Sequence, residues 1–166
     1  AFAAEGADVF LPELARYASA FSIGGTKMGA LFGEALVIND PALKKDFRYH
    51  IKQRGGMLAK GRLLGIQFET LFADGLYDEI GRHAVQQAQK IASGVRAKGY
   101  DLFVDSPTNQ VFPILPRELL STLANDFGYA FWQVFDAEHD VVRFCTSWAT
   151  PPEMVDALLD SIPAKR

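Results

Sequence analysis

Apolar residues recur at Ile80, Ala84, Ala88, Ile91 and Val95, with charged and amide residues between them. Steps of three and four predict one long amphipathic helix, and Gly99 is placed to stop it. The chain changes character there. Upstream, "LPELARYA" reads as a helix with Pro12 in its first turn and Leu11, Leu14, Ala15 and Ala18 on one side. A short apolar piece and the loop "GGTK" follow, then "ALFGEALVI" as a buried strand closed by "NDP". From Pro41, the spacing of Leu43, Phe47 and Ile51 predicts a helix ended by Gly55-Gly56. "LAKGRLLGIQFETLF", with Leu64, Phe68, Leu71 and Phe72, is apolar almost all round and predicts a largely buried helix. Downstream, "DLFVD" and "QVFPIL" read as short strands around a Ser-Pro turn. "RELLSTLANDFG" reads as a helix with Leu119, Leu120, Leu123 and Phe127 inward and Gly128 as its stop. "YAFWQVF" and "VVRFCTSW" predict antiparallel strands joined at "DAEHD", and "PPEMVDALLDSI" a closing helix. The expected class is α/β with a small α+β C-terminal part.

The 166 residues suffice for one domain or one and a half. A net charge of −3 argues against a general nucleic-acid binder. No apolar run approaches the ~20 residues that cross a bilayer, so no membrane partner is expected. The single cysteine, Cys145, forms no internal disulfide, fits a reducing cytoplasm, and reads as a small buried apolar residue. The start "AFAAEGADVF" has no basic leader segment and no initiator methionine, so it reads as a processed product or a fragment.

Three constellations carry potential chemistry. Lys27 sits among Gly24, Gly25 and Gly29, which let backbone and a flat ligand approach closely. A nucleophilic lysine must lose its proton, so its pKa must fall from about 10.4 towards neutrality. The neutral amine then forms a Schiff base with an aldehyde cofactor. Ser22 and Thr26 offer hydroxyls to a phosphate. "GGTK" is not a P-loop, because the Lys-Thr order is reversed. On residue type alone, Lys27 is more often a solvated loop lysine. Next, Lys44, Lys45, Arg48, Lys52, Arg54, Lys60 and Arg62 hold seven of the seventeen cationic side chains. They form either a solvated helix face or, where Arg54 and Lys60 flank Gly55-Gly56 beside free N–H groups, an anion site. Finally, Arg143 interrupts an apolar strand, sharing a face with Val141, Cys145 and Ser147. It needs an anion there, a structural Asp or Glu or a ligand carboxylate. His50, His83 and His139 have no metal-ligand spacing and read as helix-surface or loop residues, and no metal site is expected.

Taken together, "FSIGGTKMGALFGEALVI", "IKQRGGMLAKGRLLGIQF", "TNQVFPILP" and "VVRFCTSWAT" resemble the low-specificity threonine aldolases. These belong to the β-eliminating lyase group of fold type I pyridoxal-phosphate enzymes. The resemblance runs in order over nearly the whole chain, and it implies the C-terminal half of a fold type I transferase-like fold. Residues 1–56 would be the remnant of the large cofactor-binding α/β domain, and residues 57–166 connecting helices and a small α+β domain. It further implies Lys27 as the Schiff-base lysine and Thr26 as a cofactor contact. Arg54 and Lys60 would hold pyridoxal phosphate at its phosphate, and Arg143 would grip the amino-acid carboxylate.

The implied reaction cleaves the Cα–Cβ bond of a β-hydroxy-α-amino acid, giving glycine and, from threonine or allo-threonine, acetaldehyde. Another fold type I activity, β-elimination or transamination, is the alternative, since the residues present do not fix which Cα bond breaks. The family is about twice this long. Its N-terminal phosphate loop, ring-stacking residue and ring-nitrogen aspartate are absent from this sequence. The isolated chain is therefore expected to bind cofactor weakly and catalyse little. It would be a cytoplasmic homo-oligomer, dimer or tetramer, completed by the N-terminal half, or else a non-catalytic oligomerisation module that exposes apolar surface from "ALFGEALVI".

Overall fold

The computed structural model describes residues 2–4 and 6–165. These form two units: one of Phe2 and Ala7–Glu79, the other of residues 80–165 with Ala3, Ala4 and Gly6.

In the first unit α1 (Leu11–Tyr17) carries its proline at the first turn, where a missing N–H costs nothing. Strands β1 (Ala20–Gly24) and β2 (Glu34–Ile38) pair antiparallel, Ala20 opposite Ile38 and Gly24 opposite Glu34. Asn39 ends the ribbon by donating its amide to the carbonyls of Ala15 (2.8 Å) and Ala18 (2.9 Å), which ties β2 to α1. Helices α2 (Pro41–Lys44), α3 (Phe47–Gln53) and α4 (Arg62–Phe72) follow.

Three expectations change here. The helix read across Leu43, Phe47 and Ile51 is two helices, because Lys45 is extended and Asp46 is left-handed at φ +55°. That conformation breaks a helix and is one that aspartate tolerates better than most residues. The strand in "ALFGEALVI" is not buried: β2 alternates exposed and half-buried, with Leu36 50% exposed. Helix α4 is apolar all round but buries only Leu71, while Leu63, Ile66 and Phe72 face solvent. The common cause is a shortage of layers, since a two-stranded ribbon and short helices cannot enclose an apolar helix. Among the described residues of this unit, Ile23 and Leu71 are the large apolar side chains that are buried, and each keeps a little exposure, 8% and 6%.

The second unit has a core. Helix α5 (Leu76–Ala97) begins in the first unit and runs through it, and Gly99 at φ +87° follows its end, as the spacing predicts. Its face of Ala88, Ile91, Ala92 and Val95 packs with Val111, Leu115, Val142 and Phe144 of the sheet, Leu120 and Leu123 of α6 (Arg117–Leu123), and Val155 and Leu158 of α7 (Pro152–Ser161). Gly94 on α5 lies so close to α7 that a Cβ there would stand 2.5 Å from a Leu159 methyl. The central strand is β6 (His139–Cys145). Along one edge run β3 (Gln110–Val111) and β4 (Ile114–Pro116), in one continuous antiparallel register broken only at Phe112-Pro113. Along the other edge runs β5 (Ala130–Val134). "DLFVD" forms no strand, only a bridge from Leu102 to Pro113. Cys145 is exposed rather than buried, since it ends β6 on the side away from the core.

The two units should answer truncation differently. Leu123→Ala, at a site 2% exposed, should cost about 2–5 kcal/mol. Leu63→Ala, at a site 56% exposed, should cost no more than about 0.5 kcal/mol. Urea unfolding of the two variants beside the parent chain measures both; equal losses would contradict this division of the core.

Candidate functional site

Lys27 stands on the β1–β2 connection, in a single 3₁₀ turn spanning Thr26–Met28. The turn closes on Gly25, whose carbonyl accepts from the N–H groups of Met28 (2.9 Å) and Ala30 (3.0 Å). A Cβ at Gly25 would meet Ala30 at 2.8 Å and the Phe68 ring of α4 at 3.0 Å, and Gly29 is left-handed at φ +91°. Both positions require glycine, one for close approach and one for backbone sign. Gln67 of α4 fastens the far side of the connection, its Oε1 accepting the Leu31 N–H at 2.6 Å. Thr26 and Lys27 project side by side into solvent, and among the described residues Lys27 has no ion-pair partner.

The cationic segment is arranged differently from the sequence reading. Arg54 is the C-terminal cap of α3, and the N–H groups of Arg54, Gly55 and Gly56 donate to the carbonyls of His50 (3.1 Å), Lys52 (3.1 Å) and Ile51 (2.8 Å). That glycine pair offers no free donors to an anion, and a helix C-terminus presents carbonyls. Whatever anion affinity the segment has must come from the side chains of Arg54 and Lys60, both exposed.

Arg143 lies in the second unit, at the centre of β6 opposite Ala130 of β5. Among the described residues no carboxylate is within ion-pairing distance of it. The acids of that unit that pair do so with Lys90, Arg96, Arg117 and His139. The structural bridge weighed for Arg143 is therefore absent. Instead its guanidinium carbon lies 5.8 Å from the centre of the Trp132 ring, and its Nε is shut from solvent with no acceptor among the described residues. A buried donor left unsatisfied costs about 1–3 kcal/mol. Gln87 on α5 likewise keeps a buried Oε1 without a donor, for which the structure offers no account.

The β5–β6 hairpin that presents Arg143 is pinned at its turn. Asp136 accepts from the N–H groups of Glu138 and His139, both at 2.8 Å, and from His139 Nδ1 at 2.9 Å. These bonds, the Glu138 N–H first and the His139 side chain second, hold the Asp136 carboxyl below its usual value. Arg117 closes over the same turn, donating to Asp140 Oδ1 and to the carbonyls of Ala137 and Asp136, each at 3.0 Å. His139 thus serves the turn, His83 Nε2 lies 2.9 Å from the Thr150 carbonyl, and His50 is exposed on α3.

The fold therefore sets Lys27 beside Thr26 in one turn, keeps Arg54 and Lys60 in the same unit, and carries Arg143 in the other. Sequence reasoning missed Trp132, Gln67 and Arg117. Only Arg117 left a signal, as a cation opening a helix where an acid is the usual choice.

No family model matches the chain. Among curated proteins it is similar to the low specificity L-threonine aldolase of Pseudomonas sp. (strain NCIMB 10558), 32% identical over 142 residues, which are 85% of this chain and 40% of that protein. The low specificity L-threonine aldolase of Pseudomonas aeruginosa is 31% identical over 140 residues, 84% of this chain and 40% of that protein. Among solved structures, a Leishmania major threonine aldolase superposes with a TM-score of 0.90 at 41% identity, over 96% of this chain and 47% of that one. A Sphingomonas wittichii serine palmitoyltransferase shares the fold alone, with a TM-score of 0.60 at 13% identity over 95% of this chain and 42% of that one. The chain is thus similar in sequence to low-specificity threonine aldolases and has a fold type I architecture, as its motifs predicted. It spans less than half the length of the proteins it matches.

The turn under Arg143 carries a pH signature. Because the fold lowers the Asp136 pKa, its contribution is complete above the unfolded value of 3.8 and is lost as pH falls through the lower folded value. Carbon-detected NMR should place the Asp136 midpoint below 3.8, and Asp136→Asn should abolish the acid-dependent shifts of the Glu138 and His139 amides. A midpoint at or above 3.8 would remove the turn from this role.

Proposed function

We propose that this chain is part of a pyridoxal-phosphate-dependent lyase of the threonine-aldolase type, acting on β-hydroxy-α-amino acids. The reading is carried by the likeness to the Leishmania major threonine aldolase across almost the whole chain. The residues fit the cofactor at its point of attachment. Lys27 offers a primary amine that is exposed on a tight glycine-bounded turn and has no ion-pair partner among the described residues, and Thr26 sets an exposed hydroxyl beside it. When bound, pyridoxal phosphate supplies the electron-withdrawing ring that makes carbon–carbon cleavage at Cα feasible. The chain's own residues do the rest of what is proposed. Lys27 provides the amine that anchors the cofactor, and Arg54 and Lys60 contribute positive charge for its phosphate. Arg143 binds the substrate carboxylate in a planar, two-point grip and so fixes the orientation of the Cα bonds. Threonine or allo-threonine would yield glycine and acetaldehyde.

Reduction with borohydride after addition of pyridoxal phosphate, followed by peptide mapping, tests the anchor. The label is expected on Lys27 and is expected to vanish in Lys27→Ala; a label on another lysine would overturn the assignment.

A second reading is supported by the sparse core of residues 7–79: the chain, spanning less than half of its relatives' length, acts as a non-catalytic assembly module. Its unit exposes Leu31 (86%), Tyr49 (75%) and Leu63 (56%), apolar surface of the kind that an oligomer covers. In both readings the partner is a second polypeptide of the same enzyme rather than nucleic acid or membrane. The net charge is acidic, and among the described residues no helix is long and apolar enough to cross a bilayer. Light scattering should find the chain oligomeric at micromolar concentration. A stable dilute monomer would contradict a covered surface.

A further inference from the structure

Strand β5 contains one residue too many for its partner. Phe131 lies opposite Val142 and Gln133 opposite Val141, so Trp132 is the inserted residue of a β-bulge. In regular alternation Gln133 would face away from Arg143. The bulge instead turns Trp132 and Gln133 to one side, the side on which Ala130 faces Arg143. Alternation from Ala130 already sets Trp132 on that side, and its ring centre lies 5.8 Å from the guanidinium carbon. The indole is held in turn by Phe112, which meets it edge-on at 5.1 Å and 68° and is itself only 9% exposed.

We infer that Trp132 is a positioning residue for Arg143, its ring face fixing the plane of the guanidinium so that the edge of the fork is presented to a planar carboxylate. The inference rests on the proposed carboxylate role of Arg143. Three observations support it together. The guanidinium carbon lies over the indole face at 5.8 Å, a contact that takes no N–H donor of Arg143 and leaves its hydrogen bonds to be used. The N–H edge includes a buried Nε with no acceptor among the described residues. No acidic side chain among the described residues competes for the cation. A purely structural arginine would be expected to spend its donors on the fold, as Arg117 does with three acceptors. The ligand class that fits is an α-amino carboxylate, and glycine, the small product of the proposed reaction, is the probe.

The test titrates glycine, with glycinamide as the control lacking the anion, into the whole chain and its variants. Binding is followed by NMR, including the Arg143 side-chain Nε–H signal, identified by its absence in Arg143→Lys. In the parent chain that signal should lie upfield, shifted by the indole ring current, and should move with glycine but not with glycinamide. Trp132→Leu should return it to the ordinary arginine position and weaken glycine about tenfold, while Trp132→Phe, which keeps a ring face, should stay within about threefold of the parent. Trp132 is half exposed, and an unchanged amide spectrum outside the hairpin checks that each variant folds. If Trp132→Leu binds glycine as the parent does while Arg143→Ala loses it, the positioning role is overturned and the carboxylate role stands. If the parent fails to prefer glycine over glycinamide, or Arg143→Ala binds glycine unchanged, the carboxylate role falls and the positioning role with it.

Discussion

The closure of one apolar stripe on one strand supports everything in residues 80–165. Ala88, Ile91, Ala92 and Val95 of α5 share a core with Val142 and Phe144 of β6, and α6 and α7 add Leu120, Leu123, Val155 and Leu158 to the same cluster. Strand β6 is consequently paired along both edges and fixed at its far end. There the buried Thr146 hydroxyl donates to the Ala84 carbonyl of α5, and Asn109 bonds back to the Thr146 carbonyl at 2.8 Å. An arginine within such a strand is held by its neighbours, not by its own contacts. Rigid placement of that kind is what a group needs if it is to orient a ligand.

The hairpin turn and the bulge then translate that rigidity into side-chain direction. Asp136 and Arg117 fix where β5 reverses into β6, and the reversal fixes how residues of the two strands oppose each other. Because side chains alternate across a strand, one extra residue at Trp132 reverses the facing of all that follows. Trp132 shares Arg143's side by ordinary alternation from Ala130, and the bulge brings Gln133 to that side as well.

Legibility in the sequence followed the range of the interactions concerned. Helix α5 was readable because its period is local, and so was the β5–β6 pair, two alternating runs around a polar turn. The end of α3 was also readable, since Gly55 at φ +74° does what glycine does best. The burial of α4 was not, because a sequence shows how apolar a helix is and not how many layers surround it. Nor was the break at Asp46, where a single left-handed residue stops a periodic pattern. At the candidate site, Lys27 and its glycines could be read as a tight turn, and only the resemblance suggested a covalent anchor in place of a solvated lysine. Arg143 was conspicuous as a charge among apolar neighbours. Trp132 was not legible, since the register that sets Ala130 opposite Arg143 is not written in either strand alone.

Gly94 carries a consequence of another kind. Its missing side chain and the methyl groups of Leu159 occupy one volume between α5 and α7, and neither residue can be described without the other. Helix interiors disfavour glycine by about 1 kcal/mol relative to alanine, so the intimacy of the two helices is maintained against local preference. The positions are therefore free to drift only as a pair, a larger residue at one demanding a smaller at the other. The distance between the helices is written into the chain as a shared allowance of space, and a designer who altered either residue alone would be moving the wall of the core.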